Sequence, residues 1–105
     1  MTDFQHIAVP DVAAKQASMK IVDIRDRQSF ANGHMPDAMH LSNDNFAAFL
    51  EQTPKDMPVV VVCYHGISSQ QAASVISQQG FEEVYSMDGG FEAWKLAQPV
   101  VTENT

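Results

Sequence analysis

Cys63 is the only cysteine of this 105-residue chain, and it directly follows a run of four valines. A continuous β-branched run predicts a strand that is buried on both faces, as in a parallel sheet. After a short loop, residues 70–79 predict a helix that ends at Gly80. A thiol between a strand end and a helix start lies among free backbone N–H groups, which favour the nucleophilic thiolate. The spacing therefore indicates a nucleophilic cysteine; the alternative is a small, inert residue of the core.

The loop that follows Cys63 has the composition of an anion-binding turn. Its residues are Tyr64, His65, Gly66, Ile67, Ser68 and Ser69. Successive N–H groups of a compact turn can point at one anion, and a glycine lets the backbone approach a substrate closely. The serines offer hydroxyl groups to the helix start and to the anion. We expect these six residues to bind substrate beside Cys63, with a solvent-facing side chain as the alternative for His65.

Short strands and helices alternate around this loop. Strands are predicted over residues 6–9, 20–24, 38–41, 59–62 and 83–86. Helices are predicted over residues 10–18, from a cap at Ser42 or Asn43 to residue 52, and over residues 70–79 and 91–96, with a turn or short helix over 25–32 and a turn at Gly89 and Gly90. This alternation predicts an α/β domain with a mostly parallel sheet. Since no linker divides the chain, we expect residues 1–105 to form a single domain.

Three segments that follow predicted strands are expected to meet at Cys63, because parallel strands end at the same edge of a sheet. These are residues 23–26, 63–66 and 86–90. In the first segment, Asp23 and Arg25 are predicted to form a buried or half-buried pair that braces the loop, because an unpaired buried charge is destabilising. Direct contact of these two side chains with substrate is the alternative.

Composition narrows the range of partners. The net charge is −7, and the six Lys and Arg residues form no basic stripe, which argues against nucleic-acid binding. One cysteine and four scattered histidines do not match a zinc-ligand pattern, so we expect no metal and no organic cofactor. A lone thiol suits a reducing compartment, and the chain shows neither a signal-peptide pattern nor a membrane-length apolar run. We therefore expect a cytoplasmic protein without membrane contact.

The chain resembles the single-domain rhodaneses, close to the small bacterial thiosulfate sulfurtransferases. The resemblance is carried by residues 23–30, 33–34 and 38–41, by the loop 63–69, and by residues 88–94 with Pro99 and Val100. It implies a central parallel sheet with helices on both faces and a persulfide mechanism without a cofactor. In that mechanism Cys63 attacks the outer sulfur of thiosulfate, and sulfite leaves. The persulfide then passes its sulfur to cyanide or to a thiol acceptor such as a thioredoxin-like dithiol.

The chain departs from the family pattern at two points, the pair Tyr64 and His65 and the single residue Ile67. Tyr64 and His65 stand where large two-domain rhodaneses tend to have basic residues, and Ile67 stands where small bacterial members often have a polar one. A cysteine phosphatase is disfavoured, because it needs an arginine at position 69, where this chain has serine. Two alternatives stay open: a rhodanese-like sulfur carrier with another donor or a dedicated protein partner, and a non-catalytic binding module. Such modules typically lose the cysteine.

Overall fold

A computed structural model describes residues 4–103, in which short strands and helices alternate. The strands are β1 (Gln5–Ile7), β2 (Lys20–Asp23), β3 (Met39–His40), β4 (Val59–Val62) and β5 (Val84–Met87). The helices are α1 (Val9–Lys15), α2 (Arg27–Asn32), α3 (Phe46–Gln52), α4 (Ser68–Gln78) and α5 (Gly90–Trp94), and a 3-10 turn (Gln16–Ser18) follows α1. None of the helices in the described part of the chain is long and apolar enough to cross a membrane.

The five strands of the described residues form one sheet in the order β1-β5-β4-β2-β3. Every pairing is parallel, so the sheet is wholly rather than mostly parallel over this range. Strand β4 lies at the centre, where Val61 pairs with Val22 of β2 and with Ser86 of β5. The predicted α/β fold with a parallel sheet is thus confirmed.

The four valines of β4 are fully buried because they face two separate cores. Val60 and Val62 pack in a cluster that includes Val12 of α1 and Trp94 of α5. Val59 and Val61 pack in a second cluster with residues of α3 and α4. Helices therefore cover both faces of the sheet, as predicted, and pack against β4 from both sides.

Several predicted boundaries were wrong by one to three residues. Strand β1 ends at Ile7, because Val9 already starts α1 with a proline in its first turn. Helix α4 begins at Ser68 rather than at residue 70, and β5 runs to Met87 rather than ending at residue 86. Helix α5 starts at Gly90, which was predicted as part of a turn. The carbonyls of Cys63 and Tyr64, just after β4, accept the N–H groups of Phe91 and Glu92 in its first turn.

The predicted helix cap at Ser42 or Asn43 was also wrong, since α3 begins at Phe46 and is preceded by Asn45. The side chain of Asn45 is used by the preceding turn. Its oxygen accepts a hydrogen bond from the N–H of Ser42 at 2.8 Å, and its nitrogen donates to the carbonyl of His40 at 2.8 Å. Residues 42–45 therefore form a turn that delays the helix.

Candidate active site

The sulfur of Cys63 lies just beyond the end of β4, where loop and helix backbone surround it. The residue is 3 % exposed. Its Sγ accepts hydrogen bonds from the N–H of Gly66 at 3.1 Å and from the N–H of Ser69 at 3.2 Å. The hydroxyl oxygen of Ser69 lies 3.2 Å from the same sulfur. The loop and the first turn of α4 thus form a concave set of donors around one sulfur atom.

These donors change the acidity of the thiol. Burial raises the pKa of Cys63, but hydrogen bonds from the hydroxyl and N–H of Ser69, and from the N–H groups of Gly66 and His65, lower it by more. The pKa therefore lies below its ordinary value. Because thiolate accumulates as the pH rises through the pKa, the reactive form is present at lower pH than in a free cysteine.

The loop is held against the segment between β5 and α5. At Gly66, where φ is +83°, an added Cβ would lie 2.8 Å from the nitrogen of Gly89. The carbonyl of Cys63 accepts the N–H of Phe91 at 2.8 Å, and the carbonyl of Tyr64 accepts that of Glu92 at 3.1 Å. The predicted meeting of these two strand ends is confirmed.

Gly90→Ala tests this close backbone approach. Gly90 has a φ of +61°, and a Cβ there would lie 2.5 Å from the carbonyl oxygen of Cys63. We expect strain and overlap together to lower the free energy of unfolding by about 3–4 kcal/mol. Gly80→Ala is the matched control, because Gly80 has a φ of +100° but no atom within 4 Å of the added Cβ. Strain alone should cost about 1–2 kcal/mol there. Equal losses in urea unfolding would contradict the close approach.

Asp23 and Arg25 form the predicted pair, and both are buried. Nη2 of Arg25 donates to Oδ2 of Asp23 at 2.8 Å and to the carbonyl of Gly33 at 2.7 Å. The guanidinium carbon lies 4.0 Å from the ring centroid of Phe91 and 5.8 Å from that of Tyr64. The pair therefore connects the end of β2 with α5 and with the loop after Cys63.

Tyr64 ties the loop to the start of α2. Its hydroxyl donates to the carboxylate of Asp26, and its oxygen lies 3.1 Å from the hydroxyl of Ser29. The hydrogen bond from Tyr64, followed by those from Ser29, lowers the pKa of Asp26 to about 2. The side chains of His65, Ile67 and Ser68 are exposed, and that of Ile67 reaches 74 % exposure.

Two residues around the site, Asp26 and Ser86, were not individually singled out from the sequence, although both lie in segments expected to meet at Cys63. Asp26 caps α2 through the N–H of Ser29, and an acidic residue three positions before a serine is a weak signal for such a cap. Ser86 is fully buried, and its Oγ lies 2.7 Å from Oγ of Ser69. A lone serine between apolar strand residues was the available signal for it. Its partner could not be identified without the fold.

Each of the three histidines outside the loop lies within hydrogen-bond distance of a carbonyl or carboxylate oxygen. Nδ1 of His34 lies 2.7 Å from the carbonyl of Phe30, and Nε2 of His40 lies 2.6 Å from the carbonyl of Arg25. His6 pairs with Asp88 at 2.8 Å. Among residues 4–103, no three His, Cys, Asp or Glu side chains lie close enough together to hold a metal ion.

The fold and the site together define a parallel α/β protein that presents one polarised cysteine at the carboxyl edge of its sheet. The family model described as the rhodanese-like domain matches residues 9–97. The chain belongs to the rhodanese-like domain family, which confirms the resemblance described above.

Curated relatives match over almost their whole length. The chain is 52% identical over 99 residues to a protein of Shewanella oneidensis named thiosulfate sulfurtransferase GlpE, covering 92% of this chain and 98% of the relative. Proteins of the same name from Vibrio cholerae and Pseudomonas syringae are 55% and 46% identical. Those matches cover 92% and 97% of this chain, and 93% and 97% of the respective relatives.

Solved structures show the same fold at low identity. A rhodanese-related protein from Thermoplasma volcanium has a TM-score of 0.82 at 23% identity, covering 95% of this chain and all (100%) of that one. A rhodanese-like domain protein from Staphylococcus aureus has a TM-score of 0.81 at 21% identity, covering 96% and 100%. These likenesses concern the fold alone.

Proposed function

We propose that this protein is a thiosulfate sulfurtransferase in which Cys63 carries the transferred sulfur as a persulfide. The observation that carries the proposal is the sulfur of Cys63 held by the N–H groups of Gly66 and Ser69 at 3.1 and 3.2 Å. The relatives at 46–55% identity are named thiosulfate sulfurtransferases, which supports thiosulfate as the donor. Because the lone thiol must stay reduced, we also propose that the protein acts in the cytoplasm.

The first half-reaction loads the cysteine. The Cys63 thiolate attacks the outer sulfur of thiosulfate and forms a new sulfur–sulfur bond. The original bond of thiosulfate breaks, and sulfite leaves with its electron pair. The three negative charges of the reactants are kept, one on the persulfide and two on sulfite. No general base is required, because the attacking group is already an anion.

The second half-reaction transfers the sulfur from the Cys63 persulfide to an acceptor. Cyanide attacks the terminal sulfur, the bond to Cys63 breaks, and thiocyanate and the Cys63 thiolate result. A dithiol in its monothiolate form would instead take the sulfur as its own persulfide, then close to a disulfide and release hydrosulfide. Either acceptor returns Cys63 to the thiolate. We therefore propose cyanide or a thioredoxin-like dithiol as the sulfur acceptor.

Backbone groups supply the attraction for the anionic donor in this proposal. The chain carries a charge of −7, and residues 64–69 contain no lysine or arginine. The cation of Arg25 is buried and paired with Asp23. Oriented N–H groups act over a short range, within which the overall negative charge is screened by salt. We propose that Tyr64, His65, Ile67 and Ser68 line the rim where the donor enters, and that Asp23 and Arg25 support the loop.

Incubation with thiosulfate alone tests the loading step. We expect intact-mass analysis to show a gain of one sulfur atom per chain, which is lost on addition of cyanide. Since Cys63 is the only cysteine, protein alkylated beforehand is the matched control and should gain nothing. Absence of the adduct at saturating thiosulfate would show that the donor is another sulfur compound or that the chain is a binding module.

A sulfur carrier for a protein partner is a second candidate, favoured by the apolar rim beside the cysteine. Ile67 is 74% exposed and Tyr64 is 38% exposed. Exposed apolar side chains next to a reactive atom suit contact with a protein surface. Turnover of thiosulfate measured in parallel with cyanide and with a thioredoxin-like dithiol protein separates the candidates. A carrier would turn over efficiently only with the protein.

A further inference from the structure

The hydroxyl of Ser86 contacts the hydroxyl of Ser69, which in turn contacts the sulfur of Cys63. Ser69 and Ser86 are both fully buried, and their hydroxyl oxygens lie 2.7 Å apart. Oγ of Ser69 lies in turn 3.2 Å from Sγ of Cys63. Ser86 is set in β5 between Tyr85 and Met87 and pairs with Val61 across the sheet. Within residues 4–103, the side chain of Ser86 has a single hydrogen-bond partner, Ser69.

The number of protons on this chain of three atoms depends on the state of the sulfur. Two hydrogen bonds connect Ser86, Ser69 and Cys63. In the thiol state the two hydroxyls and the thiol carry three protons, but only two hydrogen bonds join the three groups. One proton therefore has no acceptor among them. In the thiolate state there are two protons, and both links are made, from Ser86 to Ser69 and from Ser69 to sulfur. An unused buried donor is unfavourable, so the arrangement favours the thiolate.

We propose that Ser86 is a positioning residue, whose hydroxyl donates to Ser69 and thereby keeps the Ser69 proton directed at the anionic sulfur of Cys63. The proposal concerns how the site favours its anion, and it rests on the proposed role of Cys63 as the nucleophile. Ser86 itself does not touch the substrate. No proton is transferred between the two serines in any step.

The effect extends to sulfur release. When an acceptor attacks the persulfide, Cys63 leaves as a thiolate, and a thiol with a lower pKa leaves faster. The Ser69 hydroxyl is then already directed at the sulfur on which charge develops. Ser86 therefore assists both the attack on the donor and the delivery to the acceptor.

Ser86→Ala tests the proposal, since it removes one buried oxygen and little volume. The readout is the rate of Cys63 alkylation by iodoacetamide against pH, which reports on a single thiol. We expect the midpoint to rise by about 0.5–1 pH unit, because the anion loses an oriented donor. The rate near neutral pH should fall about 3–10-fold, while the plateau at high pH is kept. The pH profile of kcat/KM for thiosulfate should shift in the same direction.

A double-mutant cycle separates this role from a general effect on packing. In a Ser69→Ala background, Ser86→Ala should cause no further shift, because its only route to the sulfur is gone. Ser86→Thr keeps a hydroxyl at position 86, so its alkylation midpoint should match that of the wild type. Val61→Ala is the packing control, because it leaves a gap beside Ser86 and leaves the hydroxyl chain intact. It should lower the melting temperature without moving the midpoint.

Other charges around Cys63 are the same in all these variants. The titratable groups near this edge of the sheet include Tyr64 and His65 of the loop, Asp23 at the end of β2 with Arg25 and Asp26 after it, His6 in β1, Asp88 after β5, and Glu92 of α5 with Lys95 directly after it. Helix α4 carries none. Because serine and alanine are both neutral, a change of midpoint reports on the hydroxyl chain.

Three results would overturn the proposal: an unchanged midpoint in Ser86→Ala, an equal shift in the Ser69→Ala background, or a folded Ser86→Thr that behaves like Ser86→Ala. Alkylation requires a thiolate but no thiosulfate. A protein that shows the shift yet forms no persulfide would refute the proposed function and leave the role of Ser86 standing.

Discussion

Cys63→Ser is expected to lower sulfur transfer from thiosulfate to cyanide by at least about 10⁴-fold, the scale seen when a covalent nucleophile is removed. Serine is nearly isosteric with cysteine, and its oxygen can accept the N–H groups of Gly66 and Ser69 that now point at sulfur. Its hydroxyl, however, is not ionised near neutral pH, and it cannot form a persulfide. The chemistry is lost while the site keeps its shape.

The stability of the folded protein is the control measurement for Cys63→Ser. Since a single atom changes at a position that keeps its hydrogen bonds, the free energy of unfolding should stay within about 1 kcal/mol of the wild-type value. Ser18→Ala, an exposed serine far from Cys63 in sequence, should retain wild-type turnover and serves as the matched preparation. Substantial turnover by folded Cys63→Ser would exclude the covalent route through this residue.

The architecture could be predicted from the sequence because its signals are local. Four consecutive valines predict a strand buried on both faces, and Cys63 then stands at its end. The alternation of short strands with helices determines a parallel sheet, and a parallel sheet brings its strand ends together. The meeting of segments 63–66 and 86–90 at the sheet edge follows from that topology, while the close approach of Gly66 to Gly89 is seen only in the structure.

The details that could not be predicted depend on contacts between distant residues. Ser69 and Ser86 are 17 positions apart, and nothing in the sequence indicates that their hydroxyls touch. The cap of α3 was predicted at Ser42 or Asn43, whereas the helix begins only after Asn45, whose side chain bonds to Ser42 and His40 of the preceding turn. Propensity rules describe which residues can cap or bond, and tertiary packing decides which of them do.

Arg25→Met is expected to be the most destabilising change in the site, lowering the free energy of unfolding by about 3–5 kcal/mol. The carboxylate of Asp23 is fully buried, and Arg25 donates to it from Nε and Nη2 as well as from its backbone N–H. Methionine keeps the apolar bulk beside Phe91 but leaves a buried charge without its partner. The measurement is the midpoint and slope of urea unfolding.

A second variant shows whether the charge is responsible. In Asp23→Asn with Arg25→Met, the amide oxygen can still accept the backbone N–H of residue 25, but no unpaired charge remains. We therefore expect the double variant to be more stable than Arg25→Met alone by about 1–3 kcal/mol. If the double variant is no more stable, the loss in Arg25→Met comes instead from the hydrogen bond to Gly33 and the contact with Phe91. Arg25 would then act as a clamp on α5, and its pairing with Asp23 would be secondary.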